Sequence, residues 1–387
     1  MNKTLIATAV FLVFFFGLFI FVQQQKQHHD QTGNKPPVKD TSFHEQTNPP
    51  QKPLPPEPAK HEEYTATISA VGDILIHDRV YDKAANPDGT YHFSPMFRQV
   101  KDELTSSDIT IANQETMIGG VKHGLSSYPS FNSPAEVGDA LKENGVDLVT
   151  IANNHTLDRG EKVILSAIEH WNTIGMAYTG AFRSPEDKTD LRLIRKNNIT
   201  FSFLSYTYGT NGIPVPEGKD HLVNLIQPEL VKREVSEAKK LSDAVVVSLH
   251  FGNEYERLPN PEQEALAKLA ADAGADVIIG HHPHVLQPVK WISRKDGSKA
   301  FVAYSLGNFL SGQRGDYKDL GGIIHVSVSK KMDGKRKTVM VHSPRFTPTY
   351  VDSQYVIWPL SELPEKKEVF EEIKQHMNRY MQELSFD

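Results

Sequence analysis

The sequence predicts an α/β fold, and three observations lead there. From Tyr64 onward short apolar runs with the composition of buried strands recur along the chain. Between most of them lie segments with helical apolar spacing and recognisable start and stop residues. Side chains able to do chemistry fall repeatedly at the carboxyl ends of the runs. Alternation of strand and helix argues for a core of largely buried, mostly parallel sheet, and an apolar content of 39% is ample for it.

In chain order, residues 1–3 come first and are expected on the cytoplasmic side. Thr4–Val22, "TLIATAVFLVFFFGLFIFV", is uncharged and long enough to cross a bilayer core as a helix. Lys3 and the N-terminus supply the positive flank that stays inside, and no small-residue cleavage pattern follows Val22. The expectation is an uncleaved single-pass anchor in the cell membrane with the rest of the chain extracellular. Residues 23–63 are rich in Pro, Gln, Lys and His, a composition that buries too little surface to fold, and read as a disordered spacer. The main domain is expected over 64–360, followed by a C-terminal helix over 361–387.

Within that domain the strand runs are "TISAVGDILI", "DITIANQE", "DLVTIANNH", "ITFSFLSYT", "DAVVVSLHFG", "DVIIGHH" and "KAFVAYSLGNF". "SPAEVGDALKENG" offers Ser133 as N-cap and Gly145 as stop; "NPEQEALAKLAADAG" offers Asn260 as cap, Pro261 at the first helical position and Gly274 as stop. "GEKVILSAIEHWNTIG" and "QPELVKREVSEAKKLS" also have helical spacing. In the last quarter "GGIIHVSVSK", "KTVMVHSPRFT" and "TYVDSQYVIWP" read as consecutive strands, so a second, more antiparallel sheet is expected there.

Composition narrows the chemistry. A formal net charge of -6 with no long basic run argues against nucleic acid as a partner. The absence of cysteine removes disulfides, thiolate metal sites and a thiol nucleophile, and no Gly-rich phosphate loop with a following Lys is present. The strand ends carry Asp73; Asn113 and Glu115; Asn153, Asn154 and His155; His250 and Glu254; and His281, His282 and His284. In an α/β sheet such ends open along one edge, where ligand crevices form. Oxygen and imidazole donors without sulfur suit Zn, Mn, Fe or Mg, and a paired site can activate water while clamping an oxyanion. The His282-Pro283-His284 turn would aim two imidazoles at one centre.

"GD" at Gly72-Asp73, "ANQET" at 112–116, "ANNHTLDRG" at 152–160, "HFGNEY" at 250–255, "GADVIIGHHPHVLQP" at 274–288 and "YSLGNF" at 304–309 together resemble the bacterial capsule-synthesis CapA/PgsA family, whose members serve poly-γ-glutamate synthesis. The likeness covers about Thr65 to Phe309 in the same order. That family is similar to calcineurin-like metallophosphoesterases, which implies a four-layer α/β/β/α sandwich and two divalent metal ions. The resemblance implies Asp73, Asn154, His250, His282 and His284 as metal ligands and His155 as general acid or transition-state stabiliser. Glu115 stands where the phosphoesterases place a bridging aspartate, as ligand and catalytic carboxylate. Where they have Asp-x-His, the next histidine here is His77; four residues on along a strand, it would share a face with Asp73, a surface role being the alternative.

Asp158 and Arg159 either orient the Asn-His turn or cap the helix beginning near Gly160, capping being preferred; Glu254 and Tyr255 are base, substrate contact or rim. Gly307-Asn308 suits a tight turn first and a ligand contact second, and Ser127 to Pro134 a groove wall. Two functions compete: a metal-dependent hydrolase or transferase acting on a phosphoester or amide, and a non-catalytic subunit holding an acidic polymer beside other membrane subunits of a synthesis or export complex. A third is an envelope phosphoesterase unrelated to capsule.

Overall fold

The computed structural model describes residues 61–387. The anchor run Thr4–Val22 and the expected spacer up to residue 60 lie outside the described residues, among which no helix is long and apolar enough to cross a membrane.

Fifteen strands among the described residues form two sheets. The chain begins the first sheet with β1 (His61–Leu75), β2 (Ile109–Gln114), β3 (Leu148–Thr150) and β4 (Ala177–Thr179), all parallel. It then builds the second sheet from β5 (Arg192–Lys196), β6 (Ile199–Thr207), β7 (Ala244–His250), β8 (Val277–His281), β9 (Leu286–Ser293) and β10 (Lys299–Leu306), in the order β5-β6-β7-β8-β10-β9. It returns to the first sheet through β11 (Asn308–Ser311), β12 (Leu320–Asp333), β13 (Arg336–Val351), β14 (Ile357–Pro359) and β15 (Ser385–Phe386), giving the order β14-β13-β12-β1-β2-β3-β4 with β11 on β1 and β15 on β13.

Three apolar clusters stack the layers. Ile68, Ala70 and Ile111 of the first sheet meet Phe201, Val246 and Ile279 of the second between the sheets. The opposite face of the first sheet, through Val71, Ala112 and Val149, packs on the helices Glu136–Glu143 and Glu161–Thr173. The opposite face of the second, through Tyr206, Val245 and Ile278, packs on Pro228–Leu241 and Pro261–Ala273. Strands covered on both sides have no polar face to alternate, which is why β2, β7 and β8 read as continuous apolar runs and are buried throughout.

Local signals succeed where nothing competes for them. Asn260 and Gln263 form a reciprocal capping box, with Pro261 in the first turn and Gly274 closing the helix at φ 122°. Ser133 does not cap its helix: its hydroxyl donates to Thr116 Oγ1, and the helix starts at Glu136 without a side-chain cap. The antiparallel strands of the last quarter exist but make no sheet of their own. β12 pairs with β1 from His61↔Asp333 to Val71↔Ile323 and so extends the first sheet. β1 starts at His61, inside the last residues expected as spacer. The expected C-terminal helix is shorter than 361–387: it runs over Lys367–Met377, and Ser385–Phe386 adds a parallel strand beside β13.

Candidate metal centre

The carboxyl ends of β1, β2 and β3 in one sheet and of β7 and β8 in the other bring the expected residues together. Asp73, Glu115, Asn154, His155, His250, His282 and His284 are all buried. Glu115, His282 and His284 each offer a ligand atom within 4.8 Å of the others, and so do Asp73, Glu115 and His250.

Backbone contacts set these positions. Gly72 lets β1 lie against the turn after β10: a Cβ there would stand 2.1 Å from Gly307 O. That approach permits the 2.8 Å hydrogen bond from Asp73 N to Gly307 O. Gly280 does the same for β8, where a Cβ would stand 1.9 Å from Tyr304 O. Beyond it His282 and His284 take φ of 96° and 58° on either side of Pro283. Each such backbone costs about 1–3 kcal/mol for a residue with a Cβ and persists where surrounding structure imposes it. It turns both imidazoles inward.

Asp73 is the organising carboxylate. Its Oδ1 accepts from Asn113 Nδ2 at 2.8 Å and lies 3.1 Å from His281 Nδ1; its Oδ2 lies 3.0 Å from His284 Nδ1. Burial works to raise its pKa, but the hydrogen bonds and charges of His281 and His284 prevail and hold the carboxyl well below its usual range. Glu115 is the opposite case. Both its oxygens are buried without a hydrogen-bond partner, with His250 Nε2 and His284 Nε2 each 3.6 Å from Oε1. Burial pushes this carboxyl well above its usual range; His284 pulls against that, and Asp73 and Glu254 reinforce it.

The histidines divide in the same way. Burial and its histidine neighbours hold His250 well below 6.5, and burial with His284 brings His282 down to about 3. Burial also works against the charged form of His284, yet Glu115 and Asp73 raise it to about 9. His250 Nε2 lies 2.9 Å from Asn154 Oδ1, while His250 Nδ1 and His282 Nδ1 are buried with no partner. Buried polar atoms are ordinarily paired. Carboxylate oxygens and imidazole nitrogens buried together without hydrogen-bond partners form an oxygen and nitrogen donor set, which fits a hard or borderline cation.

His155 sits at the edge of this cluster. Its Nδ1 is 2.7 Å from Asp158 Oδ2, and Phe131 packs edge-on against its ring at 4.7 Å. Asp158 therefore orients the histidine, and also accepts from Phe131 N at 2.8 Å. It does not cap the next helix, whose N-cap Gly160 has no side-chain cap. Arg159 ties the loop before Phe131 through His123 O and Ser126 Oγ.

Other candidates settle as follows. His77 lies beyond the end of β1, so the same-face spacing does not apply to it. It is buried against Phe131, its Nδ1 3.1 Å from Leu75 O and 3.2 Å from Gly312 N, and belongs to neither donor group. Tyr255 and Glu254 form the rim, the Tyr255 ring 6.3 Å from that of His284. Asn308 pairs by backbone with Asp73 and donates to Lys318 O, a turn role. Sequence reasoning assigned no role to Asn113 and His281, which hold Asp73. It also passed over Tyr208, whose ring lies 4.6 Å from that of His282, and Asn211, which accepts from Asn154 Nδ2 at 3.3 Å. Both follow the carboxyl end of β6, so the strand-end signal that found the others applied to them too.

Fold and site define a two-sheet α/β protein with a buried cluster of carboxylate, amide and imidazole donors at shared strand ends. The chain belongs to the bacterial capsule synthesis family: the family model described as "Bacterial capsule synthesis protein PGA_cap" matches residues 67–313. It is 33% identical to the capsule biosynthesis protein CapA of Bacillus anthracis over 267 residues, 66% of this chain and 62% of that protein. It is 28% identical to the PGA biosynthesis protein CapA of Bacillus subtilis over 289 residues, 74% of this chain and 73% of that one. Among solved structures, the calcineurin-like phosphoesterase YfkN of Bacillus subtilis aligns at a TM-score of 0.40 and 14% identity over 73% of this chain and 91% of that one.

Proposed function

We propose that this protein is a membrane-tethered, outward-facing component of capsule or poly-γ-glutamate assembly whose strand-end cluster is a divalent-cation site of hydrolase or transferase type. The observation that carries the reading is the buried, unpartnered donor set around Glu115. Family membership and the names of the two CapA relatives support the pathway. In this reading the layers are those of a metallophosphoesterase-type α/β/β/α sandwich, Thr4–Val22 is the anchor, and other membrane subunits and an acidic polymer or phosphoester are the partners.

Asp73, Glu115, Asn154, His250, His282 and His284 would hold the ions, two of Mn, Zn, Fe or Mg. Bound there, they would supply Lewis-acid polarisation of an ester or amide oxygen. The chain's own residues do the rest. Asn113 and His281 hold the Asp73 carboxylate in place, so the site is preorganised. Asp158 accepts from His155 Nδ1–H and so orients the ring; as the imidazolium, His155 would present its Nε2–H to the departing atom and return to the neutral ring on giving up that proton. Phe131 and Tyr208 cover the imidazoles and limit water.

The test is metal analysis of the purified protein by mass spectrometry together with turnover of phosphoester and amide substrates. About two ions per chain are expected, with His282→Ala losing both metal and turnover. Polymer production that survives His282→Ala but fails on deletion of Thr4–Val22 would assign the non-catalytic, polymer-holding role instead.

A further inference from the structure

The end of the molecule away from the metal centre carries its own chemical signature. β1 leaves the cluster at Asp73 and reaches its other end at His61, 12 residues away, about 40 Å at a strand's rise of roughly 3.3 Å per residue. There it pairs with Asp333, at the tip of the hairpin joining β12 to β13. The nine residues Ser329–Lys337, "SKKMDGKRK", hold five cations and one acid in a chain whose formal net charge is -6. The tip projects: Lys331 and every residue from Asp333 to Thr338 is exposed, as is Met340.

Part of this charge is answered within the fold. Lys330 and Lys337 share the single carboxylate of Asp243, at 2.8 and 2.9 Å, and Lys331 meets Glu63 at 3.1 Å. Lys335 and Arg336 form no ion pair among the described residues. The Lys330 ammonium also donates to Asn198 O at 2.9 Å, which brings the β5–β6 turn with Arg195 and Lys196 to the same end. The acids there are Glu62, Glu63, Asp108, Asp243 and Asp333, and Asp108 is engaged by Thr67 and Asn197. With Glu63 taken by Lys331 and Asp243 by Lys330 and Lys337, Lys335 and Arg336 are the cations left outward without an ion pair among the described residues, next to the exposed Met340.

The place matters because the chain enters the domain at this end. The described residues begin at His61, beside the hairpin tip and at the opposite end of β1 from the cluster, and the apolar run Thr4–Val22 precedes His61 in the sequence. We infer that the β12–β13 hairpin, through Lys335, Arg336 and the neighbouring lysines, docks on the anionic headgroup surface of the membrane in which the chain is tethered, holding the metal centre on the side facing away from the bilayer. Each cation near an anionic surface contributes roughly fivefold to binding and is screened by salt. A substrate would then reach the centre from outside or from a partner extending beyond the headgroups. Docking presupposes tethering through Thr4–Val22, so the experiment separates the two.

The full chain is mixed with vesicles of phosphatidylcholine, or of phosphatidylcholine with phosphatidylglycerol at about 30%, and floated. Lysine acetylation by an N-hydroxysuccinimide ester is then followed residue by residue by mass spectrometry. Flotation with pure phosphatidylcholine reports the tether. Acetylation of Lys335 should be about fivefold slower or more on the anionic vesicles than on the neutral ones, the difference should vanish at high salt, and it should shrink to near unity in Arg336→Glu. Arg336→Gln, giving part of the loss, guards against misfolding of the charge reversal. Equal Lys335 rates on both vesicles overturn the inference. So does equal protection by soluble polyglutamate without lipid, which would make the hairpin a polymer site. A chain that fails to float with phosphatidylcholine refutes the tether, while the rates on anionic vesicles still decide docking.

Discussion

Replacing Glu115 with glutamine separates a cation site from an ordinary buried polar pocket. The carboxylate makes no hydrogen bond through either oxygen and is fully enclosed. A buried group left unsatisfied costs about 1–3 kcal/mol, more when charged. Glutamine keeps the shape and removes the charge, so the metal-free variant should be as stable as the wild type or more stable by up to about 3 kcal/mol. At roughly 2 °C per kcal/mol for a domain of this size, that is a rise of up to about 6 °C in midpoint. With cation present the order reverses. A bound ion at 100 times its Kd stabilises by about 2.7 kcal/mol, and the variant loses most of that gain along with the ligand. The assay is calorimetry after chelation and again with added Mn²⁺ or Zn²⁺, with metal content by mass spectrometry on the same samples. Two results would refute the reasoning: a midpoint several degrees lower in the chelated variant, which makes the carboxylate a structural hydrogen-bonding group, or an undiminished metal-dependent rise, which removes it from the ligand set.

Three further outcomes follow from single contacts. Asp158→Asn takes away the partner that holds His155 Nδ1 at 2.7 Å; turnover should fall by about 100-fold or more while metal content stays at the wild-type value, as kinetics and metal analysis together would show. Asn260→Ala removes the side-chain half of a capping box and should cost about 1 kcal/mol, read as a lower urea midpoint without change in metal content. Burial and the Arg345 charge hold His325 down at about 3 against 6.5. The unfolded chain therefore takes up a proton that the folded one refuses, so the stability from neutral His325 is complete above about pH 6.5 and drains away as pH falls toward about 3. Urea midpoints between pH 7 and 4 should show a slope that His325→Gln flattens by about 1–3 kcal/mol across the range.

Much of the site could be read before the fold was known, because its donors obey a local rule. Asp73, Glu115, Asn154, His250 and His282 each end or follow a buried apolar run, and in parallel sheet such positions share one edge. The same holds for Asn260 and Pro261, whose capping geometry involves only neighbours in sequence. Local rules failed where a distant residue claimed the group first. Ser133 gave its hydroxyl to Thr116, Asp158 turned to His155, and His77 lay past the strand end that its spacing assumed.

The sequence alone therefore determined the longer buried strands, the helices that cover them and the chemical kind of the cluster, since apolar period, turn residues and donor type are properties of short stretches; it did not mark β4, β5, β9 or β15. Only the tertiary structure decided that β12 completes the first sheet through His61↔Asp333, that Asn113 and His281 position Asp73, and that Glu115 is left with no partner. Pairing across hundreds of residues depends on which surfaces exclude water together, and no stretch of chain records that by itself.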